Sequence, residues 1–120
     1  MSRILVTGIN SPLGQAVGRK LQAEGHIVVG TVRSSKIHTQ DLPANELVAL
    51  DLDDKDSFTN ISGTFETFVH VAGMGVGNAT DLMNSAGLGT HHLISRAKEL
   101  SLPRFIHISS MAVYGLGTEE

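Results

Sequence analysis

The stretch Thr7-Gly8-Ile9-Asn10-Ser11-Pro12-Leu13-Gly14 decides how this chain is read. A short apolar run, Arg3 to Thr7, precedes it and predicts a strand; Pro12 to Glu24 follows and predicts a helix. Ser11 is placed as the N-cap, Pro12 at the first helical position and Gly25 just past the end. Leu13, Val17 and Leu21 recur every fourth residue and predict a buried stripe. Gly8 permits a tight turn, and Gly14 permits close packing of helix on strand. The free N–H groups at the helix start lie at the positive end of its dipole and suit a pyrophosphate. An ordinary strand–turn–helix would also use such glycines, but the strand before and the helix after favour dinucleotide binding. No Gly-Lys-Ser/Thr follows, which argues against a P-loop.

Outward from this turn the pattern repeats. Ile27 to Val32, Glu46 to Leu50, Thr67 to Val71 and Arg104 to Ser109 are strand candidates. All are rich in Val, Ile, Leu and Phe, as strands buried on both faces should be. Asp81 to Leu100 reads as the longest helix, with Leu82, Ala86, Leu93, Ala97 and Leu100 near one face and Pro103 as its stop. Gly87 and Gly89 weaken that helix by about 1 kcal/mol each relative to alanine, or let it lie close to the sheet. Ser34 to Asn45 reads as a loop and Asp54 to Asn60 as a short helix. Alternating strands and helices predict a doubly wound parallel α/β sheet of the Rossmann type, three layers α/β/α, in strand order 3-2-1-4-5. Ligands of such sheets bind beyond the carboxyl ends of the strands, at the switch point between strands 1 and 4.

Each further motif falls at a strand end. After strand 2, the position about 20 residues past the glycines, where a ribose 2′-hydroxyl would meet an acidic residue, holds Val32 and Arg33. Arg33, with Ser34 and Lys36, can bind a 2′-phosphate, so NADP is expected to be favoured over NAD; a solvated basic turn would look the same. After strand 3, Asp51-Leu52-Asp53-Asp54 offers a carboxylate to the adenine amino group, or an N-cap from Asp53 or Asp54, or both. After strand 4, Val71, Ala72 and Gly73 are small enough for backbone to approach a cofactor, and His70 reads as a packed or hydrogen-bonded histidine. After strand 5, Ser109 and Ser110 can hydrogen-bond a substrate oxygen or cap the next helix. His91 and His92 are adjacent on a helix and point to different sides, so they do not form a metal pair.

The composition bounds the alternatives. The chain has 120 residues, a net charge of −3 and no cysteine. That is one domain, without disulfides or thiolate chemistry. The acidic balance argues against nucleic acid or an anionic membrane surface. No apolar run reaches about 18 residues, so no membrane span is expected. The N-terminus is too short for a signal peptide, so a cytoplasmic protein is expected.

Taken together these motifs resemble the extended short-chain dehydrogenase/reductase family, the NAD(P)-dependent epimerase/dehydratase group. The family's Thr-Gly-x-x-Gly-x-x-Gly is similar to Thr7 to Gly14, with Ser11 in place of the middle glycine. Asp51-Leu52, His70 to Gly73, Ala86 to Leu93 (Ala86 where the family has Asn) and Ser109 to Gly115 match its other motifs. The resemblance implies cofactor contacts from Gly8, Asn10, Ser11, Leu13, Gly14, Val32, Arg33, Ser34, Asp51, Leu52, Val71, Ala72, Gly73 and Ser109. It places Ser110, four before Tyr114, at the catalytic Ser/Thr position. The family's Tyr-x-x-x-Lys pair is not among these residues, since Tyr114 has Thr118 four residues on. The resemblance therefore implies the N-terminal cofactor-binding part, residues 1–120, of an enzyme acting on a nucleotide-linked sugar or related carbonyl or hydroxyl substrate. A dinucleotide sensor on the same fold is the alternative. Strand 5 is expected to be an exposed edge along which two copies could associate as a homodimer.

Overall fold

The computed structural model describes residues 2–33, 42–71 and 87–108. Five strands form one parallel sheet: β1 (Arg3–Val6), β2 (Ile27–Val32), β3 (Glu46–Ala49), β4 (Thr67–His70) and β5 (Arg104–His107). Their order is β3-β2-β1-β4-β5, as the alternation predicts. Leu5 stands beside Val29 on one neighbour and Phe68 on the other, so β1 is central.

Successive residues along a strand face opposite sides of the sheet. Two cores follow. Leu5, Val29 and Phe68 join Phe58, Ile61, Leu93 and Ala97 on one face. Ile4, Val6, Val28 and Val69 join Ile9, Val17 and Leu21 on the other. Helix α1 (Pro12–Ala23) covers the second face and helix α2 (Gly89–Glu99) the first. A 3₁₀ helix, Lys55–Asn60, lies beside α2 and is capped by the Asp54 side chain, which accepts from the Asp56 N–H. Of the two aspartates weighed as caps, Asp54 is the one used.

The helix termini follow from their residues. Ser11 caps α1 and Pro12 opens it. Gly25 adopts a φ of +89°, the left-handed conformation that ends helices. The inner face of α1 corrects the expected stripe, however. Gly14 and Gly18 are its buried residues, Val17 and Leu21 flank them, and Leu13 is 47% exposed. Leu13 lies about 100° around the helix from Gly14, so it misses the sheet that the glycines touch.

Burial on both faces holds for the interior strands only. β1, β2 and β4 are almost wholly buried, whereas β3 is half-exposed and β5 mostly exposed. The reason is position: β3 and β5 are the sheet edges. Ile106 and Ile108 are exposed, in accord with the expected open edge at β5. The helix expected from Asp81 is described from Gly89, and residues 81–86 and the loop residues 34–41 lie outside the described residues.

Candidate functional site

The turn after β1 is held from both neighbouring strands. The Thr7 N–H donates to the Val69 carbonyl at 3.0 Å, which carries the β1–β4 pairing past the end of β1. Gly8 turns the chain with φ +64°, a conformation that glycine adopts without strain. Its N–H donates to Thr31 Oγ1 on β2 at 3.2 Å, and the Ile9 N–H donates to the Thr31 carbonyl at 3.3 Å. The Ile9 side chain then plugs the space between sheet and helix. A Cβ on Gly30 would stand 2.7 Å from it, and one on Gly18 2.8 Å from its Cδ1 and 2.6 Å from the Pro43 carbonyl oxygen. Glycines in the middle of a strand and in the middle of a helix cost stability by themselves; here they make room for Ile9.

The first turn of α1 lies directly on this bend. A Cβ on Gly14 would stand 2.1 Å from the Gly8 carbonyl oxygen, so no larger residue fits without moving backbone. Ser11 has an ordinary extended conformation, φ −79° and ψ 158°. Its hydroxyl donates to the Gly8 carbonyl at 2.8 Å and accepts from the Gly14 N–H at 3.0 Å. The serine that replaces the middle glycine therefore causes no strain. It does occupy one of the amides that the helix start would otherwise turn outward.

Beyond the turn, β4 contributes His70. Its Nδ1 lies 2.8 Å from Thr7 Oγ1, and its Nε2 lies 3.0 Å from Thr90 Oγ1 on α2. The Val71 N–H donates to Thr7 Oγ1 at 2.9 Å. Burial, with a smaller contribution from the nearby His107, lowers the pKa of His70 to about 4. It is a neutral, hydrogen-bonded histidine, as the sequence reading has it.

At the far side, the ends of β2 and β3 bring charges together. Arg33 Nη2 lies 3.6 Å from Asp51 Oδ1 and 4.0 Å from Asp53 Oδ2, and the arginine side chain is 72% exposed. Asp51 also accepts the Asp53 N–H at 2.9 Å, which fixes the bend after β3.

A parallel sheet in this order, with a glycine turn at the β1–β4 switch point and polar groups at the ends of β2 and β3, accords with the sequence comparison. Residues 4–120 match the NAD dependent epimerase/dehydratase family. The chain belongs to that family. Among curated relatives it is 24% identical to GDP-mannose 3,5-epimerase 1 of Oryza sativa subsp. indica, over 93% of this chain and 32% of the relative. Among solved structures the chain is similar to the uronate dehydrogenase of Agrobacterium tumefaciens. It is 25% identical and superimposes with a TM-score of 0.77 over 92% of this chain and 41% of its own. A mutant of that enzyme has been crystallised with NAD. The UDP-glucose 4-epimerase of Thermotoga maritima, 21% identical, shares the fold with a TM-score of 0.81 over 98% of this chain and 41% of its own. The chain thus spans about a third of the length of the curated relatives it matches.

As a family member, the chain brings Gly8, Asn10, Ser11, Leu13 and Gly14 together in one turn, with Arg33 and Asp51 at the neighbouring strand ends. Leu13, absent from the core, is an exposed apolar side chain at the start of α1. The Val32 side chain is buried in one core, and the partly buried Leu52 packs against the other. The Val71 N–H is already spent on Thr7. Ser34, Ala72, Gly73, Ser109 and Ser110 lie outside the described residues. Sequence reasoning missed Thr31, Ile9 and Thr90. The unexplained Gly30 and Gly18 were the available signal for Ile9. Thr90 lies within the matched motif Ala86 to Leu93, which gave it no partner, and Thr31 carried no signal, because its partner is distant in sequence.

Proposed function

We propose that this chain binds the dinucleotide of an NAD(P)-dependent enzyme that acts on a carbonyl or hydroxyl carbon of a nucleotide-linked sugar. The observation that carries this reading is the contact of Gly14 with Gly8 at the switch point. Because Gly14 has no Cβ, the amino end of α1 lies directly on the bend after β1, where Gly8 turns the chain with φ +64°, and a helix amino end at a switch point suits a pyrophosphate. The names of the relatives, two of them nucleotide-sugar epimerases and one a uronate dehydrogenase, supply the substrate class.

When bound, the cofactor supplies the hydride chemistry, and the protein supplies position and electrostatics. In this reading Gly8, Asn10, Ser11, Leu13 and Gly14 surround the pyrophosphate, and the α1 dipole favours its charge. Val32, Arg33 and Ser34 face the adenosine ribose. Asp51 and Leu52 border the adenine. Val71, Ala72, Gly73 and Ser109 line the path toward the nicotinamide, and Ser110 holds the reacting oxygen.

The end of β2 offers no carboxylate of its own to a ribose 2′-hydroxyl, and Arg33 suits a 2′-phosphate. NADP is therefore favoured over NAD, by a margin that Asp51 and Asp53 reduce because they share the same guanidinium. Calorimetric titration of the chain with NADP and NAD tests both parts. Binding of both, with NADP tighter, is expected. Binding of neither overturns the reading, and tighter NAD overturns the assignment of Arg33.

A further inference from the structure

Thr7, His70 and the half-buried Thr90 form a polar chain across three elements. Thr7 is 0% exposed and His70 1%. An imidazole buried beside the Phe105 and His107 rings, 6.3 and 5.4 Å away, is costly unless both nitrogens find partners. Both do: Nδ1 at Thr7 and Nε2 at Thr90. An apolar residue would fill this part of the core without that cost, so packing alone does not account for a histidine here. The direction of the chain does. Thr7 immediately precedes Gly8, and its hydroxyl also receives the Val71 N–H. Gly8 itself is pinned to Thr31 on the opposite side. The glycine turn is thus anchored to β2 through Thr31 and to β4 and α2 through His70.

We propose that His70 is a positioning residue for the dinucleotide: through Thr7 it fixes the entry to the Gly8–Gly14 turn against β4, while Thr90 on α2 satisfies its other ring nitrogen. The inference rests on the cofactor reading above and deepens it. A phosphate-binding turn loses affinity when its amides shift by a fraction of an ångström, so a rigid two-ended strut at its entry acts on binding without touching the ligand.

Two substitutions separate the two ends of the strut. His70→Asn keeps a polar atom near the Nδ1 position, toward Thr7. His70→Gln keeps one near the Nε2 position, toward Thr90. The chain and both variants are titrated with NAD and NADP, and their melting temperatures are measured. His70→Asn should bind within about twofold of wild type, and His70→Gln about tenfold more weakly, the effect of losing one buried hydrogen bond. Thr7→Val, which removes the hydroxyl and keeps the shape, should reproduce the loss of His70→Gln. Equal affinity in all variants, or losses that merely follow melting temperature, would overturn the proposal. If the wild type binds neither nucleotide, the cofactor reading falls, and amide spectra decide the positioning role. His70→Gln should then shift the Gly8 and Val71 amides while His70→Asn leaves them in place; identical spectra for the two variants would refute it.

Discussion

Gly14 stands so close to Gly8 that a Cβ on the one would lie 2.1 Å from the carbonyl oxygen of the other. This contact sets how near α1 comes to the end of β1, and with it the shape of the turn between them. Gly14→Ala must push the helix away or break the bend. Overpacking of this kind costs about 1–3 kcal/mol. Urea denaturation should show a loss in that range, together with loss of nucleotide binding. An unchanged midpoint would mean that helix and turn separate freely.

Ser11 gives an opposed pair of effects. Its hydroxyl caps α1 by accepting the Gly14 N–H. Ser11→Ala should cost about 1 kcal/mol of stability. Ser11→Gly should cost only a few tenths and, because it frees the Gly14 amide, should tighten dinucleotide binding. Weaker binding in Ser11→Gly would show that the hydroxyl itself serves the ligand.

Arg33 and its two aspartates make cofactor preference adjustable. Arg33→Ala should narrow the gap between NADP and NAD, and Asp53→Asn should widen it by leaving the guanidinium less neutralised. Because the pair is exposed, neither change should alter stability by more than about 0.5–1 kcal/mol. The NADP preference should also weaken as salt rises. A ratio that does not move in either variant would exclude Arg33 as the reader of the 2′ position.

His70 makes stability depend on pH. Its pKa is about 4 in the folded chain, against 6.5 as an ordinary value. The groups around it are the Thr7 and Thr90 hydroxyls and the rings of Phe105 and His107. As pH falls below 6.5 the unfolded chain takes up the proton first, so stability present above that pH is lost progressively down to about pH 4. The loss amounts to at most about 3 kcal/mol. Other groups titrate in this window, so the measurement is the difference between wild type and His70→Asn in denaturation midpoint from pH 7 to pH 4. Parallel curves would contradict the neutral, buried histidine.

The strand order was legible because local pattern and global topology agree: apolar runs alternate with helical ones, and parallel pairing leaves few arrangements. The turn was legible for the same reason, since Gly8, Ser11, Pro12 and Gly14 all act within one turn of chain. What the sequence concealed depends on contacts between distant residues. Leu13 matched the helical period, but Gly14 and Gly18 had already claimed the face against the sheet. Arg33 looked like an isolated cation, and only the pairing of β2 with β3 brings Asp51 and Asp53 to it. Thr31 is unremarkable until folding sets it under Gly8, and the motif that holds Thr90 does not tell that it meets His70.

In the proposed function a dinucleotide lies across the carboxyl ends of β1, β2 and β4, with its pyrophosphate at the glycine turn. The most direct measurement is the amide spectrum of the ¹⁵N-labelled chain during titration with NADP and NAD. Saturable shifts are expected in residues 8–14, at Arg33 and Asp51, and at Val71, with those at Arg33 larger for NADP. Shifts gathered elsewhere, such as along β5, or none at all, would contradict it.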